Sequence, residues 1–341
     1  MKISIIIPTN RSSYSATARV LEVATLDPQK FEVIVRDNSG DARKRKMLDM
    51  IDSPALRMNF VGNLGAAENS TEALRLATGD FVLFLADDDW ISSRGIEQLH
   101  SVAVQNQGDA SIACLSGAFL VESSTACGIL RYPGIESADP VQRLSGFLQA
   151  NAPNVLYYSA VRRPLLLWCY DLLKQLPYSF SFHDQLLTLL YIAIGRVVQI
   201  ERIVYFYDLG EWETGSGTLV KDRSTYTSAG LPIEVDRLHW LICGLEGALL
   251  LRSRVLSSVA TFDTGRMVDL WFSTNCMRFR QWGRESGYVD SAVNVATQRV
   301  RDKWLVETEA NLNELLLDLC DVFEIVDPDG ARRYFDYWST V

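Results

Sequence analysis

Hydrophobic positions follow two rhythms along the chain. In the first quarter, short β-branched runs alternate with stretches of helical spacing. Ile3-Ser4-Ile5-Ile6-Ile7 is the first strand-like run, followed by Phe31 to Val35, Arg57 to Val61 and Phe81 to Leu85, each bounded by Asp, Asn, Gly or Pro. Between them, Ala16 to Leu26, Asp41 to Met50 and Ala66 to Ala77 carry apolar residues at helical spacing; the last stops at Thr78-Gly79, where glycine is expected just past a helix end. Such alternation predicts a parallel sheet covered by helices.

After Trp90 the rhythm is mixed. A helix is expected near Ile96 to Gln105, strands over Ala110 to Leu115 and Ala118 to Val121, then a glycine- and serine-bearing stretch. A helix over Leu186 to Ile194 leads through Gly195 into strands at Val197 to Ile200 and Ile203 to Tyr207, which close the domain. Gly210 to Leu231, rich in Gly, Ser and Thr, is expected to be a surface loop able to fold over a ligand. Beyond Pro232 strand alternation gives way to helical periodicity, notably over Asp290 to Phe323, without an internal repeat.

A chain of 341 residues accommodates one large α/β domain and a smaller unit. Apolar residues at 48% and charged residues at 22% leave no long tract too polar to bury. The net charge of −9 argues against a nucleic-acid partner, which requires a basic stripe. Arg43-Lys44-Arg45-Lys46 and Arg299 to Lys303 are too local to reverse this and read as solvated helix faces. The six cysteines lack CxxC spacing and sit in apolar stretches, as buried reduced thiols do. The start of the chain lacks secretory-signal features, and the apolar runs near Leu165 to Leu173 and Leu238 to Leu251 are too short or carry Glu246, so no transmembrane segment and a cytoplasmic location are expected.

The strongest chemical signal is Phe84-Leu85-Ala86-Asp87-Asp88-Asp89-Trp90, three carboxylates where an apolar strand ends. Adjacent like charges repel unless a cation or a solvated turn relieves them. Oxygen-rich clusters suit Mg²⁺ or Mn²⁺, which bind one or two carboxylates plus substrate phosphates. The alternative is an acidic turn leading into a helix at Ser92-Ser93, although a cap needs only one carboxylate.

Two other strand ends carry polar crowns: Pro8-Thr9-Asn10-Arg11 and Arg36-Asp37-Asn38-Ser39-Gly40. In an open α/β sheet, ligands bind beyond the carboxyl ends of strands. An Asp at position 37 suits the imide N–H of uracil or thymine, with Thr9 near the base or ribose, while Asp-Asn-Ser-Gly also reads simply as a turn.

In this order the segments resemble a family 2 glycosyltransferase of the GT-A fold. Ile5 to Arg11 is similar to that family's opening strand and nucleotide loop, Val33 to Ser39 to its second strand with the base-binding Asp, and Asn63-Leu64-Gly65 through Ala73 with Ala77 to Asp80 to its linking helix. Phe81 to Trp90 resembles its strand and Asp-x-Asp metal motif, with Ala86 where an Asp commonly stands. The resemblance covers about residues 2–207 and implies a Rossmann-like, mostly parallel central sheet flanked by helices, with a helical C-terminal region. The expected division is a catalytic domain over 1–225, with nucleotide-sugar binding in 1–90 and the acceptor side in 91–225, followed by a helical region over 226–341.

The resemblance also implies the chemistry: inverting transfer of a sugar from a UDP- or dTDP-sugar to an acceptor hydroxyl, in surface polysaccharide or glycoconjugate synthesis. Pro8, Thr9, Asn10, Arg11, Asp37, Asn63, Asp87 and Asp88 are the expected nucleotide-sugar contacts, and Asp88 or Asp89 would hold Mn²⁺ or Mg²⁺. Ser181 to Gln185 resembles the segment that supplies the family's catalytic base: His183 stands in place of its first acid on the acceptor side, and Asp184 is the candidate base, or else a first-turn acid favoured by the helix dipole. Arg75 and Arg223 are weaker diphosphate candidates, and Tyr157, Tyr158, Trp168 and Tyr170 read first as core aromatics and second as an acceptor platform. A glycan, lipid-linked or small-molecule acceptor, peripheral membrane association and a homodimer through the C-terminal helices are compatible with this reading. Its rivals are a catalytically silent nucleotide-sugar-binding protein and a sugar nucleotidyltransferase, although Pro8-Thr9-Asn10-Arg11 is no glycine-rich phosphate loop.

Overall fold

The computed structural model describes residues 1–11, 14–62, 64–150, 154–176, 178, 183–210, 226–227, 230–260, 262–282, 291–308 and 311–340. Strand β1 (Ile3–Thr9) pairs in parallel with β2 (Phe31–Asp37) and β4 (Phe81–Phe84), and β2 pairs in parallel with β3 (Leu56–Phe60). β2 and β4 are buried along their whole length, which is why Val33 to Val35 and Phe81 to Phe84 read as unbroken apolar runs instead of alternating ones. Helices α1 (Tyr14–Val23), α2 (Ala42–Asp49) and α3 (Ala66–Leu76) are the crossovers.

The second half of the sheet departs from this parallel order. The strands added after β4 are β5 (Trp90–Ile91), β6 (Ile112–Glu122), β7 (Cys127–Leu130), β8 (Ala160–Arg162) and β9 (Arg196–Asp208). Sheet order is β3-β2-β1-β4-β8-β6-β9-β5, with β7 on β6. β8 runs antiparallel to β4 and β6, and β5 antiparallel to β9, so the whole sheet is mixed.

Two expected pairs of strands are each one strand. Gly117, which reads as a break, lies inside β6 at a register shift against β9; a Cβ there would stand 2.2 Å from Val204 Cγ2. The glycine marks a bulge and a close approach within a continuous strand. Likewise β9 continues through exposed Glu201 and Arg202.

Helices α4 (Ser93–Gln105), α5 (Pro140–Gln149), α6 (Arg163–Leu173) and α7 (His183–Ile194) complete the layers on the sheet. The remaining helices are α8 (His239–Arg252), α9 (Arg254–Val259), α10 (Thr264–Trp282), α11 (Ala292–Val306), α12 (Leu312–Val326) and α13 (Pro328–Thr340). α8 is buried almost all round, packed against α7, α10 and α12, as expected of a helix apolar on every face. α10 also meets α5, and Tyr178 packs 4.7 Å from Phe323 and 5.6 Å from Tyr334, so these helices share a core with the sheet layers.

Two expectations are corrected. Lys44 is buried although its basic run reads as a solvated face, because α2 turns Lys44 and Leu48 inward together. Cys127 is exposed on β7, whereas the other cysteines are buried; all six are free thiols. Among the described residues no helix is long and apolar enough to cross a membrane.

Candidate active site

Parallel pairing aligns Thr9 with Asp37 and Ile6 with Phe84, so the chain leaves β1, β2 and β4 at one sheet edge. The segments that follow therefore face one another. Leu85 N donates to Ile6 O at 2.9 Å, and a turn closes with Asp89 N donating to Ala86 O at 3.2 Å, fixing where each acid projects.

The three acids meet three environments. Asp87 is 7% exposed; its Oδ2 accepts from the Thr9 hydroxyl and its Oδ1 lies 3.0 Å from Arg11 Nε. Burial raises its pKa, with the Thr9 hydrogen bond and Arg11 opposing that rise. Asp88 lies 2.7 Å from Arg11 Nη2 with its side chain 21% exposed. Asp89 is buried deepest of the three: Oδ2 accepts from Tyr205 Oη and Oδ1 from Asp208 N, both at 2.9 Å. Burial pushes its pKa up to about 7, assisted by the charges of Asp88 and Asp208 and opposed by these two hydrogen bonds.

A cavity of about 350 Å³ opens between these acids and the far side of the sheet edge. Pro8, Asn10 and Arg11 line it with Asp87, Asp88 and Asp89, as do Tyr157, Tyr158, His183, Tyr207 and Asp208. Tyr158 stacks on Tyr205 with ring centres 4.7 Å apart, and His183 meets Tyr157 edge to face at 5.4 Å. Tyr157 and Tyr158 therefore both pack and line the cavity, whereas Tyr170 is buried and Trp168 packs against the core.

Asp184 lies in the first turn of α7, beside His183, and accepts from Asn154 Nδ2 at 3.4 Å. It is not itself among the cavity-lining residues. Its charge joins those of Asp88 and Asp89 in raising the pKa values of Tyr158 and Tyr207, behind the larger effect of burial. The base candidate and the acids thus act on the same aromatic groups.

Asp37 lines a separate cavity of about 300 Å³ with Gly40, Asp41, Arg45, Phe60 and Gly62, where the Arg45 guanidinium lies 4.6 Å from the Phe60 ring centre. Thr9, 2% exposed, sits behind the first cavity's wall. Arg75 is on the surface, paired with Glu72. Asn63, Arg223 and the 211–225 stretch lie outside the described residues.

Sequence reasoning missed Lys44, Tyr205 and Asp208. Lys44 Nζ donates to Asp37 Oδ1 at 2.9 Å, Thr9 Oγ1 at 2.8 Å and Arg11 O at 2.6 Å. Asp208 carries the same signal as Asp37, an acid at the carboxyl end of a strand, and could have been found by it.

The carboxylates can be tested as holders of a divalent ion by their hydrogen bonds. Both oxygens of Asp87 and of Asp89 have partners; Asp88 and Asp208 also line the cavity, with Asp88 Oδ2 held by Arg11 Nη2 and Asp208 Oδ1 accepting from Gly210 N, both at 2.7 Å. Among the described residues no group of three or more His, Cys, Asp or Glu gathers around a metal-sized position. Asp88 and Asp208 fit an ion that takes one or two carboxylates and completes its shell from phosphates and water.

Residues 4–130 match the family model described as Glycosyl transferase family 2. The chain is 25% identical over 217 residues to the poly(ribitol-phosphate) beta-N-acetylglucosaminyltransferase TarS of Staphylococcus aureus, covering 61% of this chain and 35% of that protein. It is 30% identical over 129 residues to a poly(ribitol-phosphate) beta-glucosyltransferase of Bacillus spizizenii, covering 34% of this chain and 19% of that protein. The chain spans between 19% and 42% of the length of the curated relatives it matches. The crystal structure of S. aureus TarS 1-349 with UDP-GlcNAc superposes with a TM-score of 0.55 at 16% identity, covering 99% of this chain and 89% of that one, a likeness of fold. The segment that carries the strand crowns and the acidic turn is thus similar to glycosyl transferase family 2, and the fold is GT-A-like.

Proposed function

We propose that this chain is an inverting glycosyltransferase that moves a sugar from a nucleoside diphosphate sugar, UDP- or dTDP-linked, to an acceptor hydroxyl in polysaccharide or glycoconjugate synthesis. The observation that carries the reading is that one cavity is lined both by the acids after β4 and by His183 at the start of α7. A donor diphosphate at Arg11 and Asp88 would put its sugar between the acidic turn and the aromatic wall.

Asp184 is the proposed base. As the acceptor oxygen forms its bond to the anomeric carbon, the bond from that carbon to the phosphate oxygen breaks; the electron pair leaves with the nucleoside diphosphate and the acceptor proton passes to Asp184. Asn154 orients that carboxylate, and His183 with Tyr157 borders the acceptor side. Arg11 sets a positive charge beside the departing diphosphate. A Mn²⁺ or Mg²⁺ ion held by Asp88 with Asp208 would supply Lewis-acid stabilisation of that leaving group. In this proposal residues 1–225 are the catalytic unit and the helices after them brace its α5 and α7 layer.

TarS is named as an N-acetylglucosaminyltransferase and its structure holds UDP-GlcNAc, so that donor is the first to test. The experiment screens UDP-GlcNAc, UDP-glucose and dTDP-sugars with and without Mn²⁺, following nucleoside diphosphate release and acceptor glycosylation. Asp184→Asn is expected to slow transfer by about 100-fold or more with donor affinity retained. Equal rates would remove Asp184 from the base role. Donor binding without transfer to any acceptor would favour a silent binding protein, and pyrophosphate release a nucleotidyltransferase.

A further inference from the structure

Lys44 lies at an inward position of α2, one helical turn before Leu48, where the pattern calls for an apolar side chain. Its side chain is 2% exposed. Burying an ammonium costs several kcal/mol, and all three of its N–H bonds are spent on Asp37, Thr9 and the Arg11 carbonyl. Apolar replacements of buried ion pairs are often neutral or stabilising, so fold stability alone does not account for the lysine.

The direction of the bonds suggests another role. Because Lys44 donates to Thr9 Oγ1, the single hydroxyl proton of Thr9 is directed to Asp87 Oδ2. Asp87 then holds Arg11 Nε at 3.0 Å, and Arg11 Nη2 reaches Asp88 at 2.7 Å. At its other end Lys44 holds Asp37, whose carboxylate also accepts Ser39 N at 3.1 Å and borders the cavity beside Phe60 and Arg45. One unbroken series of polar contacts thus joins two cavities that share no lining residue.

We propose that Lys44 is a positioning residue for the donor, a buried cation that locks the Asp37 end and the Arg11–Asp88 end into one geometry so that a nucleoside diphosphate engages both together. This rests on the glycosyltransferase reading for the class of ligand. Lys44 touches neither cavity; it acts through Thr9, Asp87 and Arg11.

The test is calorimetric titration of the full chain with UDP and dTDP in the presence of Mn²⁺, using Lys44→Met, Asp88→Asn and the double variant. Lys44→Met is expected to weaken nucleotide binding about tenfold in a chain that still unfolds cooperatively, and the double variant to lose less than the sum of the single losses. Because Lys44→Met strands Asp37, Asp37→Asn is measured alone and together with Lys44→Met, and adding Lys44→Met is expected to weaken binding beyond Asp37→Asn alone. If Lys44→Met binds like the parent and the pair like Asp37→Asn alone, or if the Lys44 and Asp88 effects simply add, the positioning role is overturned while the glycosyltransferase reading stands. Loss of the cooperative thermal transition in both Lys44 variants makes the lysine a fold-supporting ion and likewise overturns it. A parent protein that binds neither nucleotide overturns the proposal and the functional reading together.

Discussion

Tyr205 donates its hydroxyl to Asp89 Oδ2 at 2.9 Å while accepting Ala86 N at 3.1 Å, so one phenol oxygen on β9 holds both ends of the acidic turn. Tyr205 is fully buried, and removing its hydroxyl leaves a backbone N–H and a carboxylate oxygen without that partner. Tyr205→Phe is expected to cost about 1 to 3 kcal/mol of stability, read by denaturant unfolding. Nucleotide affinity should fall as well, because Asp88 sits inside the loosened turn. Unchanged values for both would remove Tyr205 as the support of the site.

What the sequence discloses about this site depends on how local each signal is. Asp87 to Asp89 stand out because three charges directly after a buried strand have few structural explanations, and Thr9 with Arg11 follows from the same position on β1. Lys44 is hidden because its neighbours Arg43, Arg45 and Lys46 are exposed, and only the three-dimensional meeting of α2 with Thr9 distinguishes it from them. Tyr205 resembles any aromatic on a buried strand until its partner across 116 positions is known. β2 and β4 are legible because burial on both faces leaves Val33 to Val35 and Phe81 to Phe84 without polar breaks. β6 and β9 read as broken because Gly117 and the Glu201-Arg202 pair imitate turns, while pairing between the two strands carries them through.

Arg11 bridges Asp87 and Asp88, placing one fixed positive charge where a divalent ion would also be drawn. Like charges within a few ångströms oppose each other. Arg11→Gln is therefore expected to tighten Mn²⁺ binding in the absence of nucleotide by roughly fivefold, about 1 kcal/mol, and to weaken UDP binding in the absence of metal. Titration calorimetry with Mn²⁺ alone and with UDP alone measures both. Mn²⁺ affinity that stays the same or falls would show that the arginine does not compete for this position.

The helical region depends on one close approach. Gly247 on α8 lets Trp271 of α10 lie against its backbone, and the indole Nε1 donates to Cys243 O at 3.1 Å. A Cβ at position 247 would stand 2.0 Å from that nitrogen, on a ring that is fully buried. Helix propensity favours alanine over glycine by about 1 kcal/mol, but the overlap is with a rigid indole. Gly247→Ala is expected to be net destabilising by about 1 to 3 kcal/mol, seen as a lowered thermal midpoint. A raised midpoint would mean that α8 and α10 separate at little cost.

Glu246 supplies a pH dependence of opposite sign to the usual carboxylate. It lies fully buried on α8; the Tyr334 hydroxyl donates to Oε1, and Oε2 has no hydrogen-bond partner among the described residues. Burial raises its pKa from 4.5 to about 8, against the opposing hydrogen bond from Tyr334. Below 4.5 the carboxyl is neutral in the folded and unfolded chain alike, and its contribution is fully present. Between 4.5 and about 8 the unfolded chain releases the proton and the folded chain keeps it, so rising pH favours unfolding. The loss amounts to at most about 1.4 kcal/mol per pH unit and levels off once the folded carboxyl also ionises. Glu246→Gln keeps an acceptor for Tyr334 and cannot ionise. Its stability relative to the parent should therefore rise from about pH 5 to about pH 8 and level off above that, measured as the difference between denaturant midpoints. Groups that titrate identically in both proteins cancel from that difference, so a difference independent of pH would mean that Glu246 ionises in the folded chain as it does in the unfolded one.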